Sequence, residues 1–158
     1  MTDSERWQTP PELWDPLHAE FSFDLDAAAD ERTKRLPRYL WDALTGADWP
    51  GERIWLNPPY GRQLDRFVRR AADEADMGKL VVALIPFRCR AAWWHEAVLG
   101  RANEVRCIRK RVRFVRLDGS RGDFTGSCDS CIVIWRGKYR GQTILNSMQQ
   151  VNGSDVTR

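Results

Sequence analysis

The sequence predicts an α/β fold: a mostly parallel sheet flanked by helices, with an antiparallel hairpin at its C-terminal edge. Three observations predict it. Lys79-Leu80-Val81-Val82-Ala83-Leu84-Ile85-Pro86-Phe87 is a continuous apolar run of strand length, as a strand buried on both faces requires. Leu64, Phe67, Val68, Ala71, Ala72 and Ala75 recur on one helical face, and Gly78 stops that helix. Strand-like and helix-like segments alternate along the chain, the order that builds parallel sheets with helical crossovers.

The elements follow in order. Residues 1–6 are polar and read as loose. Thr9-Pro10-Pro11-Glu12 reads as a helix start, with Thr9 as cap, Pro10 at the first helical position and Glu12 completing the capping pattern. Leu13, Trp14, Leu17 and Phe21 follow at helical spacing, and Pro16 kinks or shortens that helix. Phe21 to Asp26 alternates apolar and polar, a short strand. Residues 27–44 mix small, charged and proline residues and read as loop with at most one helical turn. Arg53 to Leu56 is a strand that runs into Asn57-Pro58-Pro59-Tyr60. Ala91 to Leu99 reads as a helix with Trp93, Trp94, Ala97 and Val98 inward, ended by Gly100. Val105 to Val115 alternates apolar residues with arginines, residues 117–127 are a Gly-rich loop, and Ser130 to Trp135 is the last strand. Residues 1–136 then form one domain, and 137–158 a polar tail.

Composition bounds the function classes. The chain has 158 residues, 42% hydrophobic and 30% charged, ordinary for one globular domain with a real core. No apolar run is long enough to span a bilayer and no leader pattern opens the chain, so a cytoplasmic location is expected, with no membrane partner. The net charge of +3 permits nucleic acid without arguing for it. Its distribution says more. Arg101, Arg106, Arg109, Lys110, Arg111, Arg113, Arg116 and Arg121 crowd one stretch, readable either as a solvated face or as phosphate contacts. Most of the eight Trp belong in or beside the core. Cys128 and Cys131 have C-x-x-C spacing, but on a continuous strand residues three apart point to opposite faces, and no second pair accompanies them. Free thiols and no metal are expected.

Asn57-Pro58-Pro59-Tyr60 carries the chemistry. Two consecutive prolines donate no backbone hydrogen bond and stiffen the chain, so Asn57 and Tyr60 stand on a rigid corner at a strand end. A planar amino group is a poor nucleophile because its lone pair is delocalised. The Asn57 side-chain oxygen and the Pro58 carbonyl can accept its two hydrogens, and Tyr60 can stack on the ring that bears it.

This corner resembles the catalytic motif of S-adenosylmethionine-dependent amino methyltransferases. Trp7-Gln8-Thr9-Pro10-Pro11-Glu12-Leu13, Phe23-Asp24-Leu25-Asp26-Ala27-Ala28-Ala29, Pro37-Arg38-Tyr39 and Asp48-Trp49-Pro50-Gly51-Glu52-Arg53-Ile54-Trp55-Leu56-Asn57-Pro58-Pro59-Tyr60-Gly61 follow one another in an order similar to the phage-type DNA N-6-adenine methyltransferase family, across residues 7–136. The resemblance implies a reduced Rossmann-like methyltransferase fold, with about five strands where that fold usually has seven. It implies S-adenosylmethionine as cofactor, duplex DNA with a flipped adenine as partner, and a phage or prophage origin in a bacterial host. Asn57, Pro58, Pro59 and Tyr60 are the implied catalytic residues. Thr9 and Pro10 are similar to an element that touches the methionine end of the donor. Asp26, at a strand end before small residues Ala27 and Ala28, suits the donor's amino group or ribose, and Asn57 borders both ligands. Asp42 or Asp48 is a further ribose candidate.

At the target end, Arg62 just past Gly61 and Arg88 after the buried strand are placed to meet DNA phosphates, with Arg111, Arg113 and Arg121 from the basic stretch. Residues 119–124 read equally as a target-recognition loop or as a plain connection. No separate recognition domain fits, so site recognition is short, weak or completed by a second subunit, as in a homodimer. The alternatives are an amino methyltransferase acting on RNA or a protein glutamine, and a non-catalytic nucleic-acid-binding domain.

Overall fold

The computed structural model describes residues 7–123 and 129–150. Strands β2 (Leu25–Asp26), β3 (Arg53–Leu56), β4 (Leu80–Pro86), β5 (Glu104–Ile108), β8 (Ser130–Arg136) and β9 (Ile144–Met148) build a six-stranded sheet in the order β2-β3-β4-β8-β5-β9. A second sheet of three strands joins β1 (Trp7–Gln8), β6 (Arg113–Arg116) and β7 (Arg121–Asp123) in the order β1-β6-β7. The helices are α1 (Pro11–Phe21) and α2 (Leu64–Asp76), with a π-helical turn at Trp94–Val98.

The parallel half of the large sheet is β2-β3-β4, with Asp26 opposite Trp55 and Leu56 opposite Ala83. The expected C-terminal antiparallel pairing forms between β5 and β8. Strand β8 also pairs with β4 along its whole length, from Leu80 opposite Arg136 to Pro86 opposite Ser130, so it lies inside the sheet. Its run Cys131-Ile132-Val133-Ile134-Trp135 is fully buried, which an interior place explains.

Both faces of the central strands are covered. Val81, Ala83, Ile85, Cys131, Val133 and Trp135 point into one core with α2 and the π turn. Val82, Leu84, Ile132 and Ile134 point into the other, with α1, Trp55 and Phe114. That alternation is the period of two expected of a strand, with both phases apolar. Trp14, Trp49, Trp55, Trp93, Trp94 and Trp135 are buried, while Trp41 is exposed. Helix α2 also buries Glu74, which accepts from Arg70 Nε at 2.8 Å, Lys79 Nζ at 2.6 Å and the Trp49 amide at 3.1 Å. Three donors satisfy the carboxylate and tie the loop before β3 and the start of β4 to α2.

Several elements differ from expectation. The stretch 105–115 divides between β5 and β6, in different sheets, because Arg109-Lys110-Arg111 cannot alternate into a buried face. Helix α1 continues through Phe21, which shortens the first sheet strand to Leu25–Asp26. The helix expected at 91–99 widens to a π turn, in which the Leu99 amide reaches the Trp94 carbonyl at 2.9 Å. Trp93, Trp94, Ala97 and Val98 are inward as expected. Past residue 136, Ile144–Met148 pairs in parallel with β5. An edge strand needs only backbone partners, so its exposed side chains conceal it from sequence patterning. Residues 1–6, Phe124, Cys128 and 151–158 lie outside the described residues.

Candidate active site

Strands β2 and β3 end side by side, and the corner leaves from β3. The Ala27 amide donates to the Trp55 carbonyl at 2.9 Å, which carries the parallel ladder one step past Asp26. Pro58 is buried, Pro59 exposed, and Asn57 and Tyr60 half-buried. The Asn57 Nδ2 group donates to Thr9 Oγ1 at 3.3 Å. This bond uses one of the two amide N–H groups and points the nitrogen end, not the oxygen, at Thr9. Tyr60 donates its hydroxyl to the Leu84 carbonyl at 3.3 Å and sets its ring edge-on against Phe114.

Thr9 is buried, but it does not cap α1. Pro10 occupies the cap position with extended backbone, Pro11 starts the helix, and the Leu13 and Trp14 amides both reach the Pro10 carbonyl at 3.0 Å. The start moves by one residue because Pro11 needs no donor partner in the first turn. The Thr9 hydroxyl is thereby released to meet Asn57. Glu12 bonds its own backbone amide and pairs with Arg121, so the open end of α1 already holds a carboxylate.

Asp26 is buried, and its carboxylate accepts from the backbone amides of Arg35, at 3.0 Å, and Ala28. Burial pushes its carboxyl up to about 6 against those two bonds. Asp26 thus clips the segment 28–35 over the strand ends. Asp30 closes the same segment, accepting from the Arg32 and Thr33 amides at 2.8 Å each. Ala27 is fully buried, and Ala28 is half-buried beside it. Asp24 is used elsewhere, on the Glu52 and Arg53 amides at 3.2 Å. Asp42 is exposed and bonds within its own turn to Thr45.

Arg35, which the sequence did not single out, also touches this cluster. Its guanidinium donates to the Thr9 carbonyl and lies 5.9 Å from the centroid of the Trp14 ring. Desolvation lowers its pKa, and Nε is buried with no hydrogen-bond partner among the described residues. One arginine in a loop of mixed charge gives no such signal in sequence.

The structure therefore joins Thr9, Asp26, Ala27, Asn57, Pro58 and Tyr60 around two neighbouring strand ends. Arg62 is exposed just beyond the corner, and Arg88 is exposed after β4. Arg111 and Arg113 are exposed along β6 and its approach, alternating with buried Val112 and Phe114. Arg121 lies on the neighbouring strand β7, opposite Val115, and is paired with Glu12. No group of three His, Cys, Asp or Glu among the described residues has metal-binding geometry. No helix among them is long and apolar enough to cross a membrane.

A family model described as DNA N-6-adenine-methyltransferase (Dam) matches residues 1–158. A DNA N-6-adenine-methyltransferase of Escherichia phage T1 is 35% identical over 95 residues, which cover 58% of this chain and 40% of the phage protein. A DNA N-6-adenine-methyltransferase of Haemophilus phage HP1 (strain HP1c1) is 29% identical over 121 residues, 72% of this chain and 68% of that protein. The similarity to the T1 protein thus spans less than half of that protein's length.

Proposed function

The chain belongs to the DNA N-6-adenine-methyltransferase (Dam) family, and we propose that it transfers the methyl group of S-adenosylmethionine to the N6 amino group of adenine in duplex DNA. The observation that carries this reading is the tethered corner. Asn57 gives its amide nitrogen to Thr9, so its oxygen is the end turned toward a substrate donor. Asn57 Oδ1 and the Pro58 carbonyl each accept one N6 hydrogen. The two bonds draw the nitrogen toward tetrahedral geometry and return its lone pair for attack. Tyr60 stacks on the adenine, which must leave the duplex to reach this corner. After transfer the nitrogen sheds one proton to water.

The residues present fit the donor. Small Ala27 and Ala28 permit close approach at the strand ends, where open α/β sheets hold ligands. Asp26 shapes that floor by clipping the segment above it, and the Thr9 and Pro10 backbone borders it. When bound there, S-adenosylmethionine supplies an electrophilic methyl on a sulfonium, so the chain needs no nucleophile of its own.

Arg62 and Arg88 flank the corner, and Arg111 and Arg113 extend a basic track along β6 for backbone phosphates. Arg121 joins that track on exchanging Glu12 for phosphate. Activity then falls steeply with salt as counterion release weakens. The reading places the reaction in the cytoplasm of a phage-bearing bacterium, with a homodimer as one way to complete site recognition.

The test is transfer of labelled methyl from S-adenosylmethionine to unmethylated duplex DNA, followed by nucleoside analysis. 6-Methyladenine in the digest is the expected result. Label in RNA or protein but not DNA, or no donor binding, sinks this reading.

A further inference from the structure

We propose that the β1-β6-β7 sheet braces the catalytic corner and that Phe114 is a positioning residue acting through Tyr60; the inference rests on the methyltransferase reading. Phe114 is buried, and its ring meets that of Tyr60 at 6.1 Å between centroids and 89° between planes. The far end of Tyr60 is held by its hydroxyl on Leu84 at 3.3 Å. Edge contact at the ring and a hydrogen bond at its tip together set its tilt and reach. Those are the two variables that decide whether a ring can stack on a flipped base.

The same small sheet grips the corner a second time. Strand β1 runs directly into Thr9, the partner of Asn57. Strand β1 is itself fixed on β6, with Trp7 opposite Arg116 and Gln8 opposite Val115. The Arg116 guanidinium lies 4.9 Å from the centroid of the Trp7 ring. Gly122 stands opposite Phe114 and beneath Trp7, where a Cβ would meet an indole carbon at 2.6 Å. Glycine there lets the indole close onto the hairpin. The three-stranded sheet thus reaches the corner twice, through Thr9 next to β1 and through Phe114 on β6, while Leu84 of the large sheet holds the Tyr60 hydroxyl.

Strand β6 also has two working faces. Val112 and Phe114 face inward, while Arg111 and Arg113 are exposed. Phosphate drawn to the outer face bears on the strand whose inner face sets Tyr60. DNA contact and ring placement share one element.

The test combines a double-mutant cycle with amide exchange. Phe114→Leu keeps apolar volume and removes the ring edge. It is expected to lower kcat about tenfold, the scale of a misplaced reacting group, with affinity for S-adenosylhomocysteine within about twofold. In a Tyr60→Ala background the same change is expected to cost less than about twofold, since its route is gone. Independently of activity, the amides of residues 60–63 in Phe114→Leu should exchange about tenfold faster while β4 keeps its protection, which also shows that the variant folds. Equal losses in both backgrounds, or unchanged exchange at 60–63, overturn the inference. Faster exchange in a protein that does not methylate DNA keeps the brace and sinks the methyltransferase reading instead.

Discussion

Asp26→Asn gives the sharpest test of how the site is built. Asp26 is buried, and its carboxyl is raised from the ordinary 3.8 to about 6, first by burial, against the amides of Arg35 and Ala28. The native state therefore binds the proton more tightly than the unfolded chain between those two values. Stability is present below about pH 4 and is lost as pH rises through about 6. The gap is about 2.2 on the pH scale, worth about 3 kcal/mol in full at about 1.36 kcal/mol per tenfold in proton affinity. Between pH 4 and pH 7 roughly 2 kcal/mol of it is expressed, because the unfolded carboxyl is already partly ionised at the lower pH. Asn cannot ionise. It loses one acceptor oxygen, a cost of about 1 to 2 kcal/mol that does not vary with pH. Urea unfolding of both proteins at pH 4, 5, 6 and 7 isolates the effect, since every other carboxylate cancels in the difference. That cancellation is needed because Glu12, Glu20, Asp76 and Glu104 are held below the usual carboxylate range and lose stability toward acid. The variant should gain on the wild type by about 2 kcal/mol from pH 4 to pH 7, most of it below pH 6. Parallel stability curves would refute a buried, desolvated carboxylate at this position.

Three further outcomes follow from contacts described above. Asn57→Ala should lower methyl transfer by about a hundredfold or more, the scale for removing a transition-state partner, with donor binding by calorimetry nearly intact; retained activity removes Asn57 from the mechanism. Tyr60→Phe keeps the stacking ring and strands the Leu84 carbonyl, so kcat should stay within about threefold while stability falls by about 1 kcal/mol, roughly 2 to 4 °C in melting temperature; an inactive Phe variant would assign chemistry to the hydroxyl. Glu74→Ala leaves the Trp49 amide without its acceptor and Lys79 with the Trp49 carbonyl alone, and denaturant unfolding should show a loss of about 3 kcal/mol; a loss below about 1 kcal/mol would mean that water replaces the carboxylate.

Local pattern made the parallel half legible. Residues 80–86 announced a doubly buried strand, 64–76 an amphipathic helix, and two prolines a rigid corner, each through neighbours a few positions apart. What escaped depends on partners far along the chain. Trp7 and Gln8 become a strand only because β6 offers an edge more than a hundred residues later. Phe114 looks like any apolar residue until Tyr60 is set against it. Thr9 fits a helix cap so well in sequence that its bond to Asn57 is invisible there, since Pro10 can take the cap with backbone alone. Ile144–Met148 has no buried phase to betray it.

The interior place of β8 has a consequence for how the chain assembles during synthesis. Strands β2, β3 and β4 and helix α2 can close on one another as soon as residue 86 has emerged. Strand β5 comes next but has no neighbour to join, because its partners are β8 and β9. Until residues 130–136 arrive, the most apolar strand of the protein carries an unmated edge. At ribosomal rates the stretch 87–136 takes roughly 2 to 10 seconds to make. The nascent chain spends that interval as a half-sheet open to chaperones and to other nascent copies, and the arrival of β8 mates both waiting strands at once.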